Sequence, residues 1–448
     1  MMRRKLWDLR AVLLAVALTL GSAFIGPLAL ATSFFADNVQ MTVSGAPGMG
    51  TITLGAAVSG FQSFTAASVP NGATVSYLAQ DSGGVWEIGR GTYNSSASTL
   101  TRGALWGSSG AATAVTLSSA AIISLTMIAE DMPDYVPPPG GRLTLTSGVA
   151  VMQADQVAAT TLYYAPFTGR SVPIYNGQGV QPYQFTSSPT DAVGLTLALG
   201  SNWAASTLYD VFVALNGSTP TLCTGPAWAS SAAGTSSRGS GAGTTQLAPF
   251  NGLMTNAVSM TCRYSNTATF IVPANQATYV GSFVTNGTPG QTDFLFGSSA
   301  AGGGKATFTI WNAYNQVKSN AFVQDSNVSW TAPVTIGPLD ASTNNRVYVV
   351  NGLDENRVSV SLAVRAHQAA STFVAYYIGI NSTTSTVARS VRGFPIITSV
   401  AIDGFGIAMY DGDLPLGLNY IQALEGASTA GQTSYGVPDQ AFSVELVW

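Results

Sequence analysis

Charge is scarce in this sequence. Asp, Glu, Lys and Arg make up 8% of its 448 residues, beside one histidine and two cysteines. Each shortage excludes something. A single imidazole, His367, cannot build a His-rich metal cluster, and no Gly-x-Ser-x-Gly elbow accompanies it to suggest a catalytic triad. Cys223 and Cys262 are too few for a disulfide framework; one bridge between strands and two separate buried thiols both fit, and neither fixes the compartment. Four of the basic residues, Arg3, Arg4, Lys5 and Arg10, lie in the first ten positions. Beyond residue 31 there are 13 basic side chains against 20 acidic ones. No basic stripe is left to follow a phosphate backbone, so nucleic acid is not an expected partner. Helical periodicity sustained over three turns is also missing outside the first 31 residues.

What is present is glycine, serine, threonine and alanine, set among Val, Ile, Phe and Tyr runs of strand length. That alternation, with 46% hydrophobic residues, reads as a folded all-β protein. Asn-Gly at 71, 176, 216, 251, 286 and 351, and Asp-Gly at 403 and 411, are hairpin-turn chemistry. Residues 1–31 combine a basic start, the apolar run Ala11 to Ala31 and a small-x-small end, Ala29-Leu30-Ala31. They read first as a cleaved secretory signal, second as an uncleaved anchor, third as an upstream extension without a targeting role.

Residues 36–132 then supply six short strands, enough for a small β-sandwich or barrel. Pro133 and Pro137-Pro138-Pro139-Gly140-Gly141 mark 133–142 as a semi-rigid spacer. The remainder carries a duplication: Asn251-Gly252-Leu253-Met254-Thr255-Asn256-Ala257-Val258-Ser259 returns as Asn351-Gly352-Leu353-Asp354-Glu355-Asn356-Arg357-Val358-Ser359. Two tandem jelly-roll-like sandwiches, 143–285 and 286–448, are therefore expected.

Chemistry is hard to find. Asp354-Glu355 and Asp411-Gly412-Asp413 are carboxylate pairs of the kind glycan hydrolysis needs, but both fall where hairpin turns are expected, and the Ca²⁺-loop spacing is missing. His367 reads as a solvated loop residue between strands, and Gly239 to Gly243 as an exposed loop. No catalytic, cofactor or metal residues are assigned, and no enzymatic activity is expected. The aromatics Tyr163, Tyr164, Tyr175 and Tyr183, with Phe167 and Phe185, form the one candidate contact surface, since aromatic faces stack on sugar rings as well as packing loops onto a sheet.

The most specific stretch is Trp86-Glu87-Ile88-Gly89-Arg90-Gly91-Thr92-Tyr93, closed by Thr99-Leu100-Thr101-Arg102. Period-two alternation puts Trp86, Ile88 and Arg90 on one face and Glu87, Gly89, Gly91 and Tyr93 on the other, in a hairpin turning through Asn94 to Ser98. Trp86 is expected to be buried and essential to the domain, and Glu87 to pair with an arginine across the sheet.

This stretch, with Phe35-Ala36-Asp37-Asn38-Val39, Gly50-Thr51-Ile52-Thr53-Leu54-Gly55, Gly60-Phe61-Gln62-Ser63-Phe64 and Asn71-Gly72-Ala73-Thr74-Val75, resembles an N-terminal module of bacteriophage tail-fibre and head-fibre proteins. Segments such as Gly225-Pro226-Ala227-Trp228 and Trp311-Asn312-Ala313-Tyr314-Asn315 are similar to stretches of the same class. The resemblance implies a virion part whose first module docks on the particle. Its implied partners are other virion proteins and a bacterial surface glycan or receptor, and it implies a homo-oligomer, a trimer. It supplies no catalytic residues. The signal-like leader departs from that class and favours the alternative of a secreted or anchored adhesin; a polysaccharide depolymerase is the third reading.

Overall fold

The computed structural model describes residues 34–110, 113–128, 136–388, 391–393 and 399–448. The leader, 1–31, and the acidic Glu130-Asp131 lie outside the described residues. The chain forms two compact units, divided between Tyr135 and Val136. Among the described residues both are β, with single 3₁₀ turns such as Ser82–Gly84 and Leu339–Ala341.

In the first unit the strands β1 (Gln40–Val43), β2 (Ile52–Ala57), β3 (Thr74–Gln80), β4 (Trp86–Asn94), β5 (Thr99–Ser108) and β6 (Ile122–Leu125) close a barrel in the order β1-β2-β5-β4-β3-β6. Closure of the ladder leaves no free sheet edge among these strands. Met41, Val43, Ile52, Leu54, Phe64, Val75, Tyr77, Tyr93, Leu100 and Ile123 fill the interior.

The β4–β5 hairpin turns where expected, with Asn94 opposite Thr99, and Gly91 opposite Arg102. The alternation along β4 also holds, but the inner face is the glycine-rich one. Glu87, Gly89, Gly91 and Tyr93 are buried, and Trp86 is 38% exposed. The expectation that Trp86 anchors the core is therefore corrected. That face is closely packed at its glycines: a Cβ on Gly91 would stand 2.7 Å from Leu100 Cδ1. Trp86 lies outside, across Gly107, where a Cβ would come within 3.3 Å of the indole.

The second unit is also one body, which corrects the expected division into sandwiches 143–285 and 286–448. Strand Gln156–Ala159 pairs with Thr292–Leu295, and Ala277–Val284 pairs with Ile310–Asn312, so both sheets cross the expected boundary. One hydrophobic cluster draws residues from Leu143 to Trp448, across the expected boundary. The duplicated segments take different structures. Asn251-Gly252 is a two-residue hairpin joining Leu247–Phe250 to Leu253–Asn256, whereas Asn351-Gly352 opens the loop between Arg346–Asn351 and Arg357–Gln368.

The spacer also ends sooner than expected. Gly140, Gly141 and Arg142 are buried, and strand Gly141–Thr144 already belongs to the second unit's core. Arg142 Nε donates to the Ala150 carbonyl at 3.0 Å, and Nη1 to those of Asn315 at 2.7 Å and Trp448 at 3.0 Å, with the guanidinium 3.8 Å from the Trp448 ring centroid. A cation so placed is tolerated because carbonyls and a ring face replace its water. Burial still pulls its pKa down to about 9.

Candidate functional site

The four tyrosines singled out from the sequence do not converge. Tyr163 and Tyr164 point to opposite faces of strand Thr161–Pro166. Tyr164 is buried, its ring 4.9 Å from Phe185 and its hydroxyl accepting from Gly141 N at 3.2 Å, so it cannot touch a ligand. Tyr175 and Tyr183 fall on opposite faces of the hairpin Ser171–Tyr175/Val180–Gln184. Tyr175 packs on Phe250 at 4.7 Å, and its hydroxyl donates to Gly177 O at 3.0 Å. Tyr164, Tyr175 and Tyr183 are engaged in packing, and period-two geometry divides the group between faces.

The Trp86 to Arg102 stretch forms a buried polar centre. Glu87 accepts from Tyr77 Oη at 2.8 Å, Arg102 Nη1 at 3.2 Å and Val115 N at 3.1 Å; Arg102 also donates to the carbonyls of Val115 and Gly48. Tyr93 is buried against Phe64, and Arg90 lies half-buried on the outer face with Trp86. Every inward group here serves the barrel itself. Desolvation and the neighbouring Glu87 raise the Tyr77 pKa.

Candidate acids and bases resolve in the same way. His367 lies on strand Arg357–Gln368, correcting its expected place in a loop, and its Nδ1 sits 2.6 Å from Asp403 Oδ1 on the neighbouring strand. Its other nitrogen has no hydroxyl or thiol partner among the described residues. Asp403-Gly404 and Asp411-Gly412-Asp413 are inside the long strand Ile402–Asp413 rather than at turns, and Asp411 pairs with Arg357. The turn reading holds for Asp354-Glu355.

A buried carboxyl that sequence reasoning missed is Glu425. It accepts from Trp330 Nε1 at 2.8 Å, Asp340 N at 3.0 Å and Ser434 Oγ at 2.8 Å, and burial pushes its pKa up to about 7. Such a value suits a general acid. However, the Glu425 residue is fully buried, with no accessible surface from which a substrate could reach it. Among the described residues no group of three or more His, Cys, Asp or Glu side chains is placed to hold a metal ion. No described helix is long and apolar enough to cross a membrane.

The two cysteines are bonded to one another across the neighbouring strands Thr219–Ala227 and Met260–Arg263, with Cα atoms 5.6 Å apart. Beside them, Asp210 is enclosed by Arg238 Nε at 2.7 Å and Nη2 at 2.9 Å, and by the Ser282 hydroxyl at 2.6 Å. The guanidinium stacks 4.2 Å from the Trp228 ring centroid.

An accessible arrangement is found on the outer face of the sheet formed by Lys318–Asp325, Gln440–Val447, Arg357–Gln368 and Ile402–Asp413, in that order. Register places Phe322, Ser443, Ser361 and Met409 in one rank across the four strands, and Asn320, Glu445, Ser359 and Asp411 in the next. The serines are short; Met409, 50% exposed, lines one side, and Phe322, 42% exposed, stands next to Ser443 in the same rank. The result is a trough of about 540 Å³. It continues into a smaller depression of about 180 Å³ bounded by Lys318, Arg357, Asp411 and Glu445.

Lys318 Nζ lies 3.0 Å from Glu445 Oε1. The Ser443 hydroxyl lies 2.7 Å from the Asn320 carboxamide, which when turned with its nitrogen inward also donates to Val444 O at 3.2 Å. Phe405 and Ile407 extend the exposed apolar row along the same strand as Met409. The signal was present in the sequence: Phe405-Gly406-Ile407-Ala408-Met409 alternates large and small, and the small residues face the core.

No family model matches the chain, and no curated protein or solved structure matches it.

Proposed function

We propose that the protein is a non-enzymatic attachment component, an appendage of a phage particle, whose second unit contacts the surface of a bacterial cell. The observation carrying this reading is the outer face of these four neighbouring strands, where Phe322, Phe405, Ile407 and Met409 stand exposed in and beside a serine-floored trough. A monomeric soluble surface rarely groups such side chains without a contact to make. The resemblance of the segment from Phe35 through Asp131 to a particle-docking module supports the virion assignment, with a homotrimer as the proposed assembly. The signal-like residues 1–31 favour a second reading, a secreted or anchored adhesin using the same face.

Mass spectrometry of density-purified particles tests the choice. Peptides from both units, at a stoichiometry fixed against the major structural protein, support the appendage. Their absence from particles, with a mature start at Thr32 in the culture medium, supports the adhesin.

A further inference from the structure

We propose that the trough lined by Asn320, Ser359, Ser361, Ser443 and Met409 binds a neutral saccharide; this rests on the attachment reading and names its ligand. The argument begins with the floor. Ser361 and Ser443 face each other on adjacent strands, with Ser359 and Asn320 in the next rank, so hydroxyls and a carboxamide cover a floor about two strand spacings wide, roughly 10 Å. These groups both donate and accept, which matches the paired hydroxyls of a sugar and does not select for a single ionic group.

The walls complete the match. A pyranose ring has polar edges and an apolar C–H face, and the Met409 thioether lining the trough offers a surface for that face, with the half-exposed Phe322 ring next to Ser443 at its margin. A volume of about 540 Å³ accommodates two to three rings in an open cleft of the size ligand sites usually have.

Charge selects among saccharides. The face is not uncharged, but its described Lys and Arg side chains are already engaged: Lys318 with Glu445, Arg357 with Asp411 and Arg365 with Asp439, while Asp413 lies opposite Arg357 in the register. Among the described side chains, three cations against four carboxylates leave no surplus positive charge for an anionic polymer. The ligand class is therefore an uncharged glycan.

The test uses the full chain in affinity gel electrophoresis, with dextran, mannan and a β-glucan as neutral probes and polygalacturonate as the anionic one. Retardation by a neutral polymer is expected. It should weaken about tenfold in Phe322→Ala, the scale of one lost ring contact, and disappear in Ser361→Trp, which fills the floor. Both variants are checked for parental melting; the exposed Phe322→Ala change keeps the test valid if the larger residue disturbs folding.

Retardation by polygalacturonate alone, by no polymer, or equally in parent and variants overturns the inference. So does a dimer in solution that Ser361→Trp dissociates, since it would assign the face to a second copy. Binding to cells of the infected strain separates the two levels. If the parent and Ser361→Trp bind cells equally, the trough assignment falls and attachment stands; if the parent fails to bind cells, attachment falls as well.

Discussion

Arg102 Nη1 lies 3.2 Å from Glu87 Oε2 inside the barrel of the first unit, with both side chains almost wholly out of water. The pair is completed by Tyr77 and by the Val115 amide, so no oxygen of the carboxylate is left without a donor. Removing one member strands the other in a medium that cannot solvate it. Arg102→Ala or Glu87→Ala should therefore cost about 3 to 5 kcal/mol, whereas Trp86→Ala, on the outer face, should cost within about 1 kcal/mol. Urea unfolding curves of the three variants check the contrast; equal losses would return Trp86 to the core.

The bond between Cys223 and Cys262 closes a loop with a sequence separation of 39. Its loss enlarges the unfolded ensemble, so the double variant Cys223→Ser/Cys262→Ser should lose roughly 2 to 4 kcal/mol. Iodoacetamide should label neither cysteine in the denatured, unreduced protein. Mass shifts at both positions without reductant would show free thiols.

Glu425 makes stability depend on pH near neutrality. Its folded pKa is raised to about 7 by burial, above its ordinary value of 4.5. Between those values the unfolded chain has lost the proton that the folded chain keeps. The contribution is full below about pH 4.5 and is lost as pH rises through about 7, on the order of 3 kcal/mol in all. Asp340 is shifted upward by its own burial and adds in the same direction. Denaturant midpoints measured from pH 4.5 to 8 should fall in the parent and flatten in Glu425→Gln. A midpoint that rises over this range in the parent contradicts the assignment.

Arg238 should not be replaceable by lysine. Its Nε and Nη2 both reach Asp210, and Nη2 also donates to the Tyr279 hydroxyl and the Gly352 carbonyl. A lysine keeps the charge but not the planar fork or the stacking on Trp228. Arg238→Lys should lose about 1 to 3 kcal/mol and Arg238→Ala about 3 to 5 kcal/mol, read from chemical denaturation. Indistinguishable lysine and arginine proteins would reduce the site to a point charge.

Much of the barrel was legible because its information is local. Asn71-Gly72 and the alternation from Trp86 to Tyr93 act within a few residues, and the expected strands match the observed ones within a few residues at either end. The direction of the inner face was not legible, because hydrophobicity favours Trp86 while the space inside favours glycine.

The second unit resisted for a different reason. The partner of Gln156–Ala159 is Thr292–Leu295, and no property of either segment names the other. The repeated Asn-Gly-Leu segments suggested two equal halves, yet the pairing that surrounds them differs. The trough was hidden for the same reason: its ranks draw one residue each from four strands spread between Lys318 and Val447. Arg142 was read as part of a spacer because three prolines precede it, and its carbonyl partners lie far along the chain.

Those partners impose an order on biosynthesis. Arg142 waits for Asn315 and Trp448, 173 and 306 residues downstream. The first strand of the second unit therefore leaves the ribosome long before the groups that will replace its water exist. The barrel, whose strands all lie between Gln40 and Leu125, can close while translation continues. The larger unit must remain open until its last strand emerges. During that interval the nascent chain presents unpaired strand edges, and its sparse charge offers little repulsion between neighbouring chains on one message.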